Sequence, residues 1–144
     1  GTPTMTGIRP NPALLLLIIL TLAGCTVVDT IKEKQLGVDL ETSLDGYEAT
    51  IRWGRAQDAY AFLKPEMARE AKIPASLDSI QVTQYRVIAP PTFRDKTTAT
   101  QTVAISYILL DSQVERTLID QQLWQREDEE TRNWYRINPI PELK

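Results

Sequence analysis

The stretch LETSLDGYEATIRWG, residues 40–54, decides the fold, because an apolar stripe recurs along it at helical spacing. The stripe has spacings of four, three and four residues and consists of Leu40, Leu44, Tyr47 and Ile51. Gly54 follows where a helix C-cap belongs. The pattern predicts an amphipathic helix over residues 40–53 whose apolar face the rest of the domain must cover.

Downstream of this helix the composition changes from helical to strand-like. Residues 57–63 are predicted to form a second short helix, and Pro65 either ends it or opens one more turn over residues 66–71. Beyond Pro74, β-branched and aromatic residues predict four strands, over residues 79–89, 98–111, 114–126 and 131–138. The residues between them, 90–96, 111–113 and 127–130, are predicted to be a loop and two turns.

Helices followed by a meander of strands indicate an α+β fold. We expect the N-terminal helices to pack into a curved four-stranded antiparallel sheet, so that the apolar stripe fills a cone-like concavity. A curved sheet needs bulges. The alternation of the first strand slips near Gln84 and Tyr85, which predicts a bulge there.

The N-terminal part of the chain contains an apolar segment, residues 13–22, and the single cysteine, Cys25, follows it three residues later. An apolar run this short matches the core of a signal peptide better than a membrane-spanning helix, which needs about 20 residues. The segment closes with Leu22, Ala23, Gly24 and Cys25, and this sequence resembles the lipobox of bacterial lipoproteins at every position. An ordinary secretory signal, or a buried N-terminal helix, is the alternative.

The lipobox resemblance implies that signal peptidase recognises Leu22, Ala23 and Gly24 and that Cys25 is acylated, with palmitate or a similar chain. Residues 1–24 would then be the signal peptide, residues 25–39 a lipidated tether, and residues 40–144 one α+β domain. Two or three acyl chains, each contributing about 0.8 kcal/mol per buried methylene, anchor a domain stably to a membrane. Thr26 follows the cysteine where an aspartate commonly retains lipoproteins in the inner membrane, which implies the outer membrane, facing the periplasm.

Composition narrows the possible functions. Arg9 is the only charge before Cys25, so 15 basic and 19 acidic residues follow it, which argues against nucleic acid as a partner. The chain has no histidine, the commonest general base and metal ligand near neutral pH. We therefore expect no metal, no cofactor and no catalytic triad.

The domain also resembles the nuclear transport factor two-like (cystatin-like) family. The similarity lies in the helix, glycine break and second helix at residues 51–60, and in the paired terminal strands around Trp124 and Trp134. Enzymes of this superfold use polar groups deep in the cone. Possible cavity-lining residues here are Tyr60, Tyr85, Tyr107 and Trp53, and Asp58 is a further polar candidate, but no residue of the chain matches a catalytic motif of the family.

Structural roles compete with each functional interpretation. A tyrosine with its ring in the core and its hydroxyl at the rim is commoner than a catalytic one. Trp53, Trp124 and Trp134 are expected to pack in the core or at sheet edges, with a cross-strand contact between the last two. The acidic residues 127–130 offer oxygen ligands but lack calcium-loop spacing, so we interpret them as a solvated turn.

These observations favour a non-enzymatic envelope lipoprotein that binds or scaffolds another envelope protein. The alternative is a small-molecule-binding protein or enzyme that uses the cone cavity. A third hypothesis is a homodimer formed through the sheet face.

Overall fold

We describe the fold from a computed structural model, which gives the backbone from Pro12 to Lys144 and the side chains from Ile31 to Lys144. The chain divides after Gly37 into two compact units, and the second, Val38–Lys144, is the α+β domain. Residues 1–11 of the predicted signal peptide lie outside the described residues. Leu22, Ala23, Gly24 and Cys25 fall within a helix whose side chains are described only from Ile31 onward, so the lipobox stays a prediction.

The first helix, α1, runs from Pro12 to Trp53. Its end and its buried stripe are as predicted: Leu40, Leu44, Tyr47 and Ile51 are each at most 5% exposed, and α1 stops before Gly54. The start of α1 differs from the prediction, because residues 25–39, which were expected to form a tether, are helical too. That stretch lacks an apolar period and contains many β-branched residues, so its helix is not explained by local signals and continues α1 on both sides.

Three short helical segments follow α1. Ala56–Phe62 is a 3₁₀ helix at the place of the predicted second helix, Pro65–Glu70 is α2, and Ala75–Ser79 is a second 3₁₀ helix. Pro65 opens α2 at its first turn, where its missing N–H costs no hydrogen bond. Phe62 packs edge-on against Tyr47, with ring centroids 5.6 Å apart, and so fixes the 3₁₀ helix on α1.

The sheet contains four antiparallel strands in sequence order: β1 (Ile80–Phe93), β2 (Thr98–Leu109), β3 (Val114–Gln125) and β4 (Tyr135–Arg136). The β1–β2 register shifts between Val82 and Gln84, which confirms the bulge predicted there. Two more shifts follow beyond Val87, and the strand continues through Pro90 and Pro91. The predicted loop at residues 90–96 is therefore mostly strand, because an edge strand tolerates prolines that donate no ladder hydrogen bond.

The last strand is much shorter than predicted, and its register decides which residues Trp124 and Trp134 contact. Arg136, not Trp134, stands opposite Trp124. Trp134 contacts Phe93 instead, with ring centroids 5.9 Å apart, so the expected contact between Trp124 and Trp134 is wrong. Past Arg136 the N–H of Ile137 still donates to the Leu123 carbonyl at 2.9 Å, and the next two carbonyls, of Asn138 and Pro139, accept from the Arg136 side chain.

Candidate functional site

The four tyrosine and tryptophan positions predicted to line one cavity lie in three places. Trp53 and Tyr85 share a groove between the end of α1 and the start of β1. Tyr60 is on the first 3₁₀ helix, where partial burial and the charge of Glu142 raise its pKa. Tyr107 is buried on β2, and its hydroxyl donates to the Lys144 carbonyl at 2.7 Å. The structure therefore does not bring all four residues around one groove, and the Tyr107 hydroxyl holds the backbone of Lys144.

The α1–β1 groove has a volume of about 460 Å³. Its walls combine ionic, amide and hydroxyl groups with one indole, from Asp45, Glu48, Ala49, Arg52 and Trp53 on α1 and Thr83, Gln84 and Tyr85 on β1. A volume in this range is ordinary for a small-ligand site, roughly 300–1,000 Å³. The groove is thus large enough to take a ligand, and its lining is mainly polar.

Trp53 is 77% exposed at the edge of this groove, whereas Trp124 and Trp134 are 0% and 2% exposed. The core-packing interpretation is therefore confirmed for two tryptophans and wrong for Trp53. Its position follows from the helix period, because Trp53 comes two residues after Ile51 and so lies off the buried stripe. The Arg52 guanidinium carbon lies 4.0 Å from the centroid of the indole ring and covers one of its faces.

Arg52 also fastens α1 to the edge strand. Its Nη1 donates to the carbonyl of Val82 at 2.8 Å. The extra residue of the β1 bulge, Thr83, turns its hydroxyl toward the Ser106 carbonyl at 3.2 Å. The first contact joins α1 to β1 across the groove, and the second joins β1 to β2 beside it.

Beneath the groove lies a set of buried polar side chains that we call the interior cluster: Tyr47, Gln101, Asp120, Gln122 and Arg136, with Tyr85 at its outer end. Arg136 and Asp120 form a two-point ion pair, with N–O distances of 2.6 and 2.8 Å, and both side chains are at most 2% exposed. Arg136 also donates to the Tyr47 hydroxyl at 3.1 Å. Two parallel hydrogen bonds of this kind satisfy both charges where water is excluded.

Gln122 connects the ion pair to the rest of the cluster. Its amide nitrogen donates to Asp120 and to the Tyr85 hydroxyl, both at 2.9 Å. Its amide oxygen accepts from Trp124 at 3.0 Å and from Gln101 at 3.2 Å. The hydrogen-bonding capacity of the Gln122 amide is therefore used in full, as burial requires.

Burial shapes the acid–base behaviour of the cluster. Desolvation raises the pKa of Tyr47 and of Tyr85 well above the ordinary tyrosine value, so both phenols stay protonated through the physiological range. Burial works against the charge of Arg136, but hydrogen bonds to the Asp120 carboxylate and its negative charge outweigh it, and the pKa of Arg136 is raised. Near neutral pH the cluster therefore contains one ion pair, Arg136 with Asp120, and two neutral phenols beside it.

Sequence reasoning missed Asp120, Gln122 and Arg136. The signal was present in β3, where Asp120, Gln122 and Trp124 alternate by two and so share one face of the strand. Three residues on one face, ending in a buried tryptophan, place a carboxylate inside the domain. Its partner, Arg136, comes from β4, and only the register of β3 with β4 brings the two together.

The acidic residues 127–130 form the turn that was predicted. Asp128 accepts hydrogen bonds from the backbone N–H groups of Glu130 and Thr131, which lower the pKa of its carboxyl. Arg126 donates to the Glu129 carbonyl at 3.0 Å. Within the part of the chain that the structure describes, no group of three or more carboxylate or thiol side chains is arranged to hold a metal ion.

Comparisons of this chain with protein-family models, with characterised proteins and with solved structures gave no match. Among the described residues, no helix combines the length and apolar character that crossing a bilayer requires.

Proposed function

We propose that this protein is a lipid-anchored bacterial envelope lipoprotein whose domain acts as a non-enzymatic binding module. The lipobox at Leu22, Ala23, Gly24 and Cys25 supplies the anchor. The observation that carries the binding role is the contrast between a filled interior and an open groove. Tyr47 and Trp124 are both 0% exposed and pack edge to face at 5.4 Å, while the groove above Tyr85 stays open to a ligand.

The same packing bears on the alternative, an enzyme or carrier that uses the cone cavity. Such a protein needs a free carboxylate or converging hydroxyls beside an open space. Here the Asp120 carboxylate is bound by Arg136 and Gln122, and the Tyr47 ring fills the space between α1 and β3. This arrangement supports binding at the surface over catalysis in the interior.

We further propose that the domain is a member of the nuclear transport factor two-like architecture, with α1 filling the concavity of a cone-shaped sheet. The buried stripe of α1 and the three register shifts of β1 support it, because bulges are what bend a sheet around a helix. A homodimer through the opposite sheet face is a further proposal, and the 56% exposure of Ile119 shows only that this face is accessible.

The anchor is tested by expressing the full precursor in bacteria and measuring the mass of the mature N-terminus. We expect a chain that begins at an acylated Cys25. Cys25→Ala should move the protein from the membrane fraction to the soluble fraction. A full-length chain with a free Cys25 thiol would contradict the proposal.

The choice between the outer and the inner membrane is tested by a matched variant that keeps the lipid anchor. Thr26→Asp should leave acylation intact and shift the protein from the outer to the inner membrane, as measured by density-gradient fractionation. An unchanged distribution would argue against sorting by the residue after Cys25. The protein partner is tested by crosslinking in the native envelope and mass spectrometry, where recovery of no partner above the level seen for Cys25→Ala would contradict the binding role.

A further inference from the structure

The α1–β1 groove combines one exposed aromatic ring with hydrogen-bonding groups of both kinds. Arg52 covers one face of the Trp53 ring at 4.0 Å, and the residue is still 77% exposed, so the opposite face is open to solvent. A flat, open indole face packs well against a flat apolar surface of similar size, and its N–H remains free to donate.

The polar groups around the ring argue against an anionic ligand and suit one with many hydroxyls. Asp45 and Glu48 have no ion pair or hydrogen bond with any described residue, and both are acceptors. Arg52 and Gln84 are donors, and the Tyr85 hydroxyl, which accepts from Gln122, keeps its own proton to donate. A phosphate or other anion would meet two carboxylates here, whereas a ligand with many hydroxyls can use every one of these groups.

The groove is poorly suited to an extended peptide that adds a strand to the β1 edge. Strand addition needs a row of free backbone groups. Arg52 already occupies the Val82 carbonyl, the register shifts after Val82 and again after Val87, and Pro90 and Pro91 lack an N–H. These features protect the edge against pairing.

We propose that the α1–β1 groove binds a neutral pyranose oligosaccharide. One sugar ring stacks its apolar C–H face on the open face of Trp53. The sugar hydroxyls donate to Asp45 and Glu48 and accept from Arg52 and Tyr85. The inference rests on the proposed binding function and names the class of its ligand.

The test begins with the full chain on an array of neutral oligosaccharides built from glucose, galactose, mannose and N-acetylglucosamine. The strongest of them is then titrated while tryptophan fluorescence is recorded. Trp124 and Trp134 are buried, so a ligand-dependent change in emission reports on Trp53. We expect a Kd of about 1 mM or tighter, because one stacked ring and a few hydrogen bonds supply the binding free energy.

Matched variants locate the site. Trp53→Ala should weaken binding by at least about tenfold, because stacking and its desolvation are lost. This variant lacks the reporting indole, so isothermal titration calorimetry measures binding for it and for the parent. Glu48→Gln, which keeps shape but changes the acceptor, should weaken it by a smaller factor, and Trp134→Phe should leave it unchanged. Circular dichroism checks that each variant is folded.

The proposal is overturned if no neutral saccharide on the array binds, or if Trp53→Ala binds as the parent does. Binding of an array of extended basic peptides in place of saccharides would also overturn it. Because this assay does not use the membrane, failure of acylation at Cys25 would leave the saccharide result standing. Failure of saccharide binding would in turn leave crosslinking to a protein partner as an independent test of the binding function.

Discussion

The interior cluster and the α1–β1 groove are built from the same kinds of side chain but leave them in opposite states. In the cluster, Arg136 faces Asp120 and every polar group of Gln122 is paired. In the groove, Asp45 and Glu48 have no such partner among the described residues, and Trp53 faces solvent. The difference shows that buried polar groups are used to hold strands together, while half-exposed groups on the adjoining wall stay available to a ligand.

The largest expected effect on stability comes from neutralising one carboxylate in the interior cluster, compared with the same change in the groove. Asp120→Asn removes the charge that compensates Arg136 and should lower the free energy of unfolding by about 3–5 kcal/mol, since it leaves a buried cation unpaired. Glu48→Gln makes the same change in the groove and should stay within about 0.5 kcal/mol of the parent. Urea unfolding of both variants measures this difference. Equal losses would mean that the groove carboxylate contributes to folding as strongly as the buried one does.

The pH dependence of stability tests the burial of the cluster's phenols. Because burial raises the pKa of Tyr47 and Tyr85 in the folded chain, their contribution is full below the unfolded value of about 10. Stability should then fall as pH rises above about 10, by up to about 1.4 kcal/mol per pH unit for each tyrosine. Unfolding followed by circular dichroism, with tyrosinate absorbance as a second probe, measures the slope.

Tyr47→Phe supplies the matched control for this slope. The variant should lose about 1 kcal/mol at neutral pH, because Arg136 loses one acceptor. Its stability should also fall less steeply above pH 10, since one buried phenol fewer resists ionisation. An unchanged slope in the variant would show that other groups cause the alkaline loss.

A smaller effect is expected from two glycines of α1. A methyl group at Gly46 would lie 3.3 Å from Cε1 of Phe62, whereas one at Gly37 would meet nothing within 4 Å. Gly37→Ala should therefore gain up to about 1 kcal/mol from helix propensity. Gly46→Ala should gain less or lose stability, because the Phe62 ring must shift. If the two variants have equal melting temperatures, the contact between Phe62 and α1 is looser than described.

The smallest effect concerns an ion pair on the surface. Arg55 and Asp78 approach to 3.8 Å, but both side chains are more than 70% exposed. Arg55→Ala should cost less than about 1 kcal/mol, and added salt should reduce that cost further. Thermal unfolding at low and high salt measures it, and a larger loss would show that exposure is a poor guide to energy in this domain.

Most secondary structure of the domain was predictable, because its signals are local. The α1 stripe, the end at Gly54, the bulge after Val82 and the bounds of β2 and β3 follow from period and turn chemistry. The errors occur where local signals are weak. Residues 26–39 are helical although they have neither an apolar period nor strong helix propensity. The residues around β4 have strand-like composition, but the carbonyls of Asn138 and Pro139 accept from Arg136.

The candidate site was less predictable than the fold. Trp53 and Tyr85 were expected to line a cavity and do share a groove, but Tyr60 and Tyr107 were expected beside them and lie elsewhere. The sequence pattern placed Asp45 and Glu48 on the polar side of α1 and did not mark them as site residues. The curvature of the sheet decides which side of α1 lies next to β1. No local sequence pattern encodes that curvature.

The sequence by itself determined where α1 ends, which of its faces is buried, the order of the strands and the lipobox that predicts an anchor at Cys25. Those properties depend on neighbours a few residues apart, through helical and strand periodicity. Only the tertiary structure decided that Asp120 meets Arg136 and that Trp53 stands open above Tyr85. Both depend on the register of strands and on the seating of a helix, which long-range packing sets.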